Sequence, residues 1–135
     1  MTTVRDIYNA LFAFAPASMK MDWDNVGLLC GRFDAPVDTV LVALDPMPDV
    51  IDEAKAAGAQ CIVTHHPLFF DAPRAVNDAS YEGRCILALA EAKINVLALD
   101  QCMRQVNMQF IIDRADFEAA QKALHHELVE NEALL

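Results

Sequence analysis

The sequence lacks any long apolar run. Hydrophobic residues make up 55% of its 135 positions, yet no stretch approaches the roughly 18–20 consecutive apolar residues of a membrane-spanning helix. No membrane partner is expected. A leader pattern is lacking too: Arg5 and Asp6 interrupt the apolar residues near the start, and no small-residue cleavage pattern follows. The expectation is a cytoplasmic chain. Cysteine pairs are missing. Cys30, Cys61, Cys85 and Cys102 are scattered, with no Cys-x-x-Cys, which argues against a zinc knuckle and for reduced, buried thiols. Positive charge is scarce. Ten Lys and Arg face twenty Asp and Glu, giving a net charge of −10. That balance argues against a nucleic-acid partner; it is compatible with cation binding without proving it. There is no Gly-x-Gly-x-x-Gly and no P-loop, so nothing cradles a nucleotide phosphate recognisably. No internal repeat or low-complexity tract is present.

What the sequence does have is Cys61-Ile-Val-Thr-His-His-Pro-Leu-Phe-Phe70. The apolar residues Cys61 to Val63 predict a buried strand of a mostly parallel sheet. Thr64 ends it, and Pro67 stops further pairing. His65 and His66 therefore fall at the carboxyl end of a strand, where open α/β sheets collect ligands. Neighbours on an extended chain point to opposite faces. Two imidazoles here can serve two ions, or one can be a ligand and the other a positioning group. A pair without chemistry, one histidine packed and one solvated, is the alternative. The Thr-His-His-Pro context at a strand exit favours metal.

The flanking residues build an α/β frame. Thr2 or Thr3 caps a first helix with Val4, Ile7, Leu11 and Phe14 at helical spacing, and Pro16 lies beyond its end. Ser18 to Gly31 reads as a loop. Its Asp24-Asn25 pair suits local side-chain to backbone hydrogen bonds, and Gly27 or Gly31 suits a turn. Val37 to Leu44 predicts a strand closed by Asp45-Pro46, with Asp45 placed to cap the next helix. Asp49 to Ala57 predicts that helix, with Val50, Ile51 and Ala54 inward and Gly58 as its stop. After the Cys61 strand, Asp71 to Ser80 reads as a loop. Ser80 caps a helix whose Tyr81, Cys85, Ala88, Leu89 and Ala92 share a face. Ile94 to Leu99 is the next strand. The fold class expected is α/β: layered βαβ units with a mostly parallel sheet flanked by helices.

Thr64-His65-His66-Pro67-Leu68-Phe69-Phe70, with Trp23-Asp24-Asn25-Val26-Gly27-Leu28-Leu29 upstream, resembles the paired signatures of a dinuclear-metal family, the GTP cyclohydrolase type 2 homologs. Two motifs in the right order are more specific than either alone. The resemblance covers about residues 1–107. It implies half of a two-lobed fold, and it makes Trp23, Asp24 and Asn25 candidate substrate-pocket residues. The family follows its third strand with a His-Thr-Asn-Leu-Asp segment whose aspartate binds metal. Here Leu99-Asp100 matches the Leu-Asp and Val106-Asn107 a later Val-Asn, while the His-Thr-Asn and two glycines are missing. By that match Asp100 is the third candidate ligand beside His65 and His66; an ordinary strand-terminating aspartate is the alternative.

The family's second half returns a histidine and a glutamate to the same metals. This chain instead carries one amphipathic helix, which sets the expected division: a metal-site domain over 1–112 and a terminal helix over 113–135. Asp113 or Asp116 caps that helix, with Phe117, Ala120, Leu124 and Leu128 as its buried stripe. His126 and Glu130 have ligand-like spacing but project opposite Leu124 and Leu128, on the face expected to be solvated. The member implied is truncated or divergent. Its expected function is divalent-metal binding through an incomplete dinuclear site in a metal-dependent hydrolase. A non-catalytic oligomeric scaffold or regulatory protein with a residual site is the alternative. Histidine with carboxylate suits zinc, iron, manganese or nickel. No catalytic residue is assigned. Three candidate ligands are few for two ions, so a tight two-metal site would need donors from another subunit. A homo-oligomer is expected because the resembled family is oligomeric and because the missing half would leave apolar sheet and helix faces uncovered.

Overall fold

The computed structural model describes residues 1–99 and 114–126. The chain divides into two compact units, Met1–Arg104 and Gln105–Leu135. In the first, helix α1 (Val4–Phe14) precedes strand β1 (Gly27–Cys30) and strand β2 (Val40–Ala43). Helix α2 (Pro48–Ala56), strand β3 (Cys61–Thr64), helix α3 (Tyr81–Ala92) and strand β4 (Asn95–Ala98) come next. The sheet order is β1-β4-β3-β2. β2, β3 and β4 run parallel, and β1 joins β4 antiparallel at one edge. The fold is the expected mixed α/β frame.

Local chemistry explains the elements. Thr3 caps α1 in a reciprocal box with Asp6: the Asp6 N–H donates to Thr3 Oγ1, and the Thr3 N–H and hydroxyl donate to Asp6 Oδ2. Ser80 caps α3 by accepting from the Gly83 N–H at 2.9 Å. Pro48 opens α2, where its missing N–H costs nothing. Gly58, with φ of 64°, ends it in the left-handed conformation.

Both faces of the sheet are covered over its two central strands, which is why every residue of β3 and β4 is buried. On one face Ile62 and Val96 pack with Ile51 and Ala54 of α2 and Cys85 and Leu89 of α3. On the other, Cys61, Val63 and Leu97 pack with Val4 of α1 and Val37.

Several expectations are corrected. The segment read as a loop from Ser18 to Gly31 contains β1. The positive-φ glycine Gly27 opens its four residues and Gly31 follows them, and the pairing has a register shift between Leu28 and Cys30. Asp45 does not cap α2, whose N-cap is Met47 without a side-chain hydrogen bond. Phe14 and Tyr81, expected inward, are exposed at the ends of their helices.

In the second unit, helix α4 (Phe117–His125) starts after Asp116, which occupies the cap position without a side-chain bond. Phe117, placed in the buried stripe, is 58% exposed. It stands in the first turn, where a helix has fewest neighbours. Ala120 and Leu124 are half-buried, and His125 and His126 are exposed. Glu127, Leu128 and Glu130 lie outside the described residues, as do Asp100, Val106, Asn107 and Asp113. Among the described residues no helix is long and apolar enough to cross a membrane.

Candidate metal centre

The three parallel strands finish level with one another. Ala43, Thr64 and Ala98 are register partners across β2, β3 and β4. Pairing then continues for a step past the strands. The His65 N–H donates to the Ala43 carbonyl at 3.3 Å and the His66 N–H to the Leu44 carbonyl at 2.9 Å. On the other side, the Leu99 N–H donates to the Thr64 carbonyl at 2.8 Å. Three chain exits are thereby fixed side by side at the carboxyl edge of the sheet, where α/β proteins place ligands. From β2 comes Asp45, from β3 come His65 and His66, and from β4 comes Leu99, with Asp100 next in sequence.

His65 and His66 are both exposed, and their rings lie 4.9 Å apart at 41°. Neither is a packed core histidine. The buried Thr64 holds the turn beneath them, its hydroxyl donating to the His66 carbonyl at 2.7 Å. Pro67, the next residue, offers no N–H for further pairing. His66 Nδ1 lies 2.7 Å from Asp45 Oδ1. Sequence reasoning gave Asp45 a different job. The signal available was its equivalent position: Asp45 follows the end of β2 by two residues, as His66 follows the end of β3.

The upstream motif meets the downstream one. Asn25 Nδ2 donates to the Phe69 carbonyl at 2.9 Å, and the Trp23 and Phe70 rings lie 6.1 Å apart at 47°. Both rings are more than half exposed. Asp24 is buried, and its Oδ1 accepts from the Asn25 N–H at 2.7 Å, the local bond expected of an Asp-Asn turn. Lys20 Nζ donates to the Asp24 carbonyl at 2.9 Å. Next to this junction, a cavity of about 540 Å³ runs along Pro67 to Asp71 and reaches Arg74 and Tyr81.

Among the described residues, no three His, Cys, Asp or Glu side chains form a group able to hold a metal ion. The donor set still has the right chemistry. Two solvent-accessible imidazoles sit at one strand exit, and one of them is braced by a carboxylate, the usual support of a metal-binding histidine. The third candidate, Asp100, lies outside the described residues.

Comparison with known proteins agrees with the family resemblance. The family model Duf34/NIF3 (NGG1p interacting factor 3) matches residues 2–112. The chain is 42% identical over 93 residues to a GTP cyclohydrolase 1 type 2 homolog of Clostridium acetobutylicum, covering 69% of this chain and 35% of that protein. Among solved structures, it is similar to the Staphylococcus aureus hypothetical protein SA1388, with a TM-score of 0.68 and 38% identity over 71% of this chain and 27% of that one. A Bacillus cereus protein related to NIF3 gives a TM-score of 0.69 and 31% identity over 74% and 28% of the respective chains. The chain spans about a third of the length of the curated relatives it matches.

Proposed function

The chain belongs to the Duf34/NIF3 family, and from that premise we propose that the β3 exit is part of a divalent-metal site in a metal-dependent hydrolase. The observation that carries the reading is the placement of His66 against Asp45 at the level carboxyl ends of three parallel strands. His65, His66 and Asp100 are the proposed ligands, and zinc, iron, manganese or nickel suits them. A bound divalent ion would supply an acidified water and a Lewis acid, chemistry suited to hydrolytic opening of a heterocycle or of a phosphate ester. The chain's own contribution is positional. Thr64 fixes the turn that carries the imidazoles, and Asp45 orients one ring. Trp23, Asp24 and Asn25 are proposed to wall the substrate pocket, tied to the metal loop through Phe69 and Phe70. The described cysteines Cys30, Cys61 and Cys85 are free thiols, in keeping with work in the reducing cytoplasm.

The test is elemental analysis of protein grown with supplied metal and desalted, paired with a hydrolase screen. A His65→Ala, His66→Ala double variant should lose the metal and keep its circular dichroism spectrum. Wild-type protein without metal would overturn the reading. Metal without turnover on any substrate class would favour the scaffold alternative.

One observation supports self-association in either case. Along the outer strand β2, Val40 and Val42 are exposed, as is Leu44 just past its end, and Val42 is 76% exposed. Contiguous apolar surface of that kind favours association, and a second copy could supply the donors that three ligands leave wanting. Light scattering at micromolar concentration should give a mass above that of one chain. A monomer would count against the homo-oligomer.

A further inference from the structure

We propose that Asp45 is a positioning residue: it fixes the His66 ring in the tautomer that presents Nε2 as the metal-binding nitrogen. The inference rests on the metal reading above, and goes beyond it by assigning one of two nitrogens and naming the group that selects it.

The backbone makes the pair. β2 and β3 are parallel and in register through Ala43 and Thr64, and the His66 N–H donates to the Leu44 carbonyl. Asp45 and His66 therefore leave neighbouring strands at the same height. Pro46 locks the chain just after one, and Pro67 just after the other. The carboxylate is not engaged in capping α2, because that helix starts at Pro48 behind Met47.

The side-chain geometry then selects a tautomer. At 2.7 Å the contact has the length of a charge-assisted hydrogen bond. An ionised carboxylate only accepts, so the ring must donate. The proton sits on Nδ1, and the lone pair is left on Nε2, since the bond made at one ring nitrogen decides the state of the other. His66 is exposed enough that, without this contact, ring rotation would cost little.

The test uses the full chain and has two independent readouts. Long-range proton–nitrogen spectra of metal-free, histidine-labelled protein, taken well above the ordinary imidazole pKa, report the tautomer of His66. Wild type should show the proton on Nδ1. Asp45→Ala should move it to Nε2. Asp45→Asn, whose Oδ1 still accepts, should leave it on Nδ1 and control for folding. Cobalt(II) titration, followed by its visible absorption band, is the second readout. Asp45→Ala should weaken cobalt binding by about 10–100-fold, with Asp45→Asn between it and wild type. A proton on Nε2 in the wild type, or equal cobalt affinity in wild type and Asp45→Ala, would overturn the proposal. A tautomer change with no cobalt bound by wild type would overturn the metal reading, and with it the ligand role of Nε2. That result is distinct from a failure of the Asp45 contact.

Discussion

Asn25 donates from Nδ2 to the carbonyl of Phe69, 44 residues away, and so ties the first signature to the second. The bond is partly buried, and its loss leaves a carbonyl without this partner. Asn25→Ala should cost about 1–3 kcal/mol. Asn25→Asp should cost at least as much, because an ionised carboxylate cannot donate to a carbonyl and repels it. Urea melts decide the order. Trp23 is the sole tryptophan and lies against Phe70, so its emission should shift in both variants. Wild-type emission and midpoint in Asn25→Ala would sink the idea that this bond docks the segment.

The strand-end histidines should be separable from the core. Ile62 is fully buried between the sheet and α2 and α3. Ile62→Ala should cost about 2–5 kcal/mol. His65→Ala removes an exposed side chain and should stay within about 0.5 kcal/mol. The comparison is made on metal-free protein, since bound metal would add its own stabilisation. A larger loss for His65→Ala than for Ile62→Ala would show that the histidine turn, not the sheet, limits folding.

Cys61 gives the fold an alkaline sensitivity. Burial pushes its thiol up to about 11 from an ordinary value of 9.0. Below about pH 9 both folded and unfolded chains keep the proton, and stability does not depend on it. Above that, the unfolded chain releases its proton while the folded chain retains it. Stability therefore falls as pH rises from about 9 to 11, by about 1.4 kcal/mol per pH unit at most. Cys61→Ala, less stable overall because of the lost side chain, should show a shallower decline over that window. Parallel alkaline profiles for the two proteins would contradict the assignment.

The parallel core was legible because its signals are local. Cys61-Ile-Val-Thr is apolar and β-branched, Thr3 and Ser80 are capping residues, and Gly58 is a helix stop. The family resemblance singled out Trp23, Asp24 and Asn25 as candidate pocket residues, and contacts at Asn25–Phe69 and Trp23–Phe70 join their segment to the one that follows the histidines. What escaped were relationships made only in three dimensions. β1 is a four-residue strand whose partner, β4, begins 65 positions after Cys30, and its glycines and Asp-Asn neighbours carry turn chemistry. Asp45-Pro46 looks like any strand-closing turn until parallel register sets it beside His66. Asn95 carries no sign in the sequence that its buried amide bridges two segments.

That buried amide makes the last prediction. Asn95 Oδ1 accepts from the Arg32 N–H at 2.8 Å, and its Nδ2 donates to the Gln60 carbonyl at 2.7 Å. Both Gly31 and Gly58 have positive φ, 125° and 64°, so alanine is strained at either. Their surroundings differ. A methyl group at Gly58 meets nothing within 4 Å, whereas one at Gly31 runs into the Asn95 side chain. Gly58→Ala should cost about 1–2 kcal/mol, the ordinary penalty of a left-handed residue. Gly31→Ala carries strain of about 1–3 kcal/mol and must also push Asn95 off its partners, adding about 1–3 kcal/mol for buried groups left unsatisfied. Gly31→Ala should therefore melt at clearly lower denaturant than Gly58→Ala. Asn95→Ala should reproduce part of that loss, and the double variant Gly31→Ala, Asn95→Ala should cost less than the sum of the two, because the methyl group then has room. Strict additivity would mean that the two residues do not meet, and that the β1–β4 edge is joined some other way.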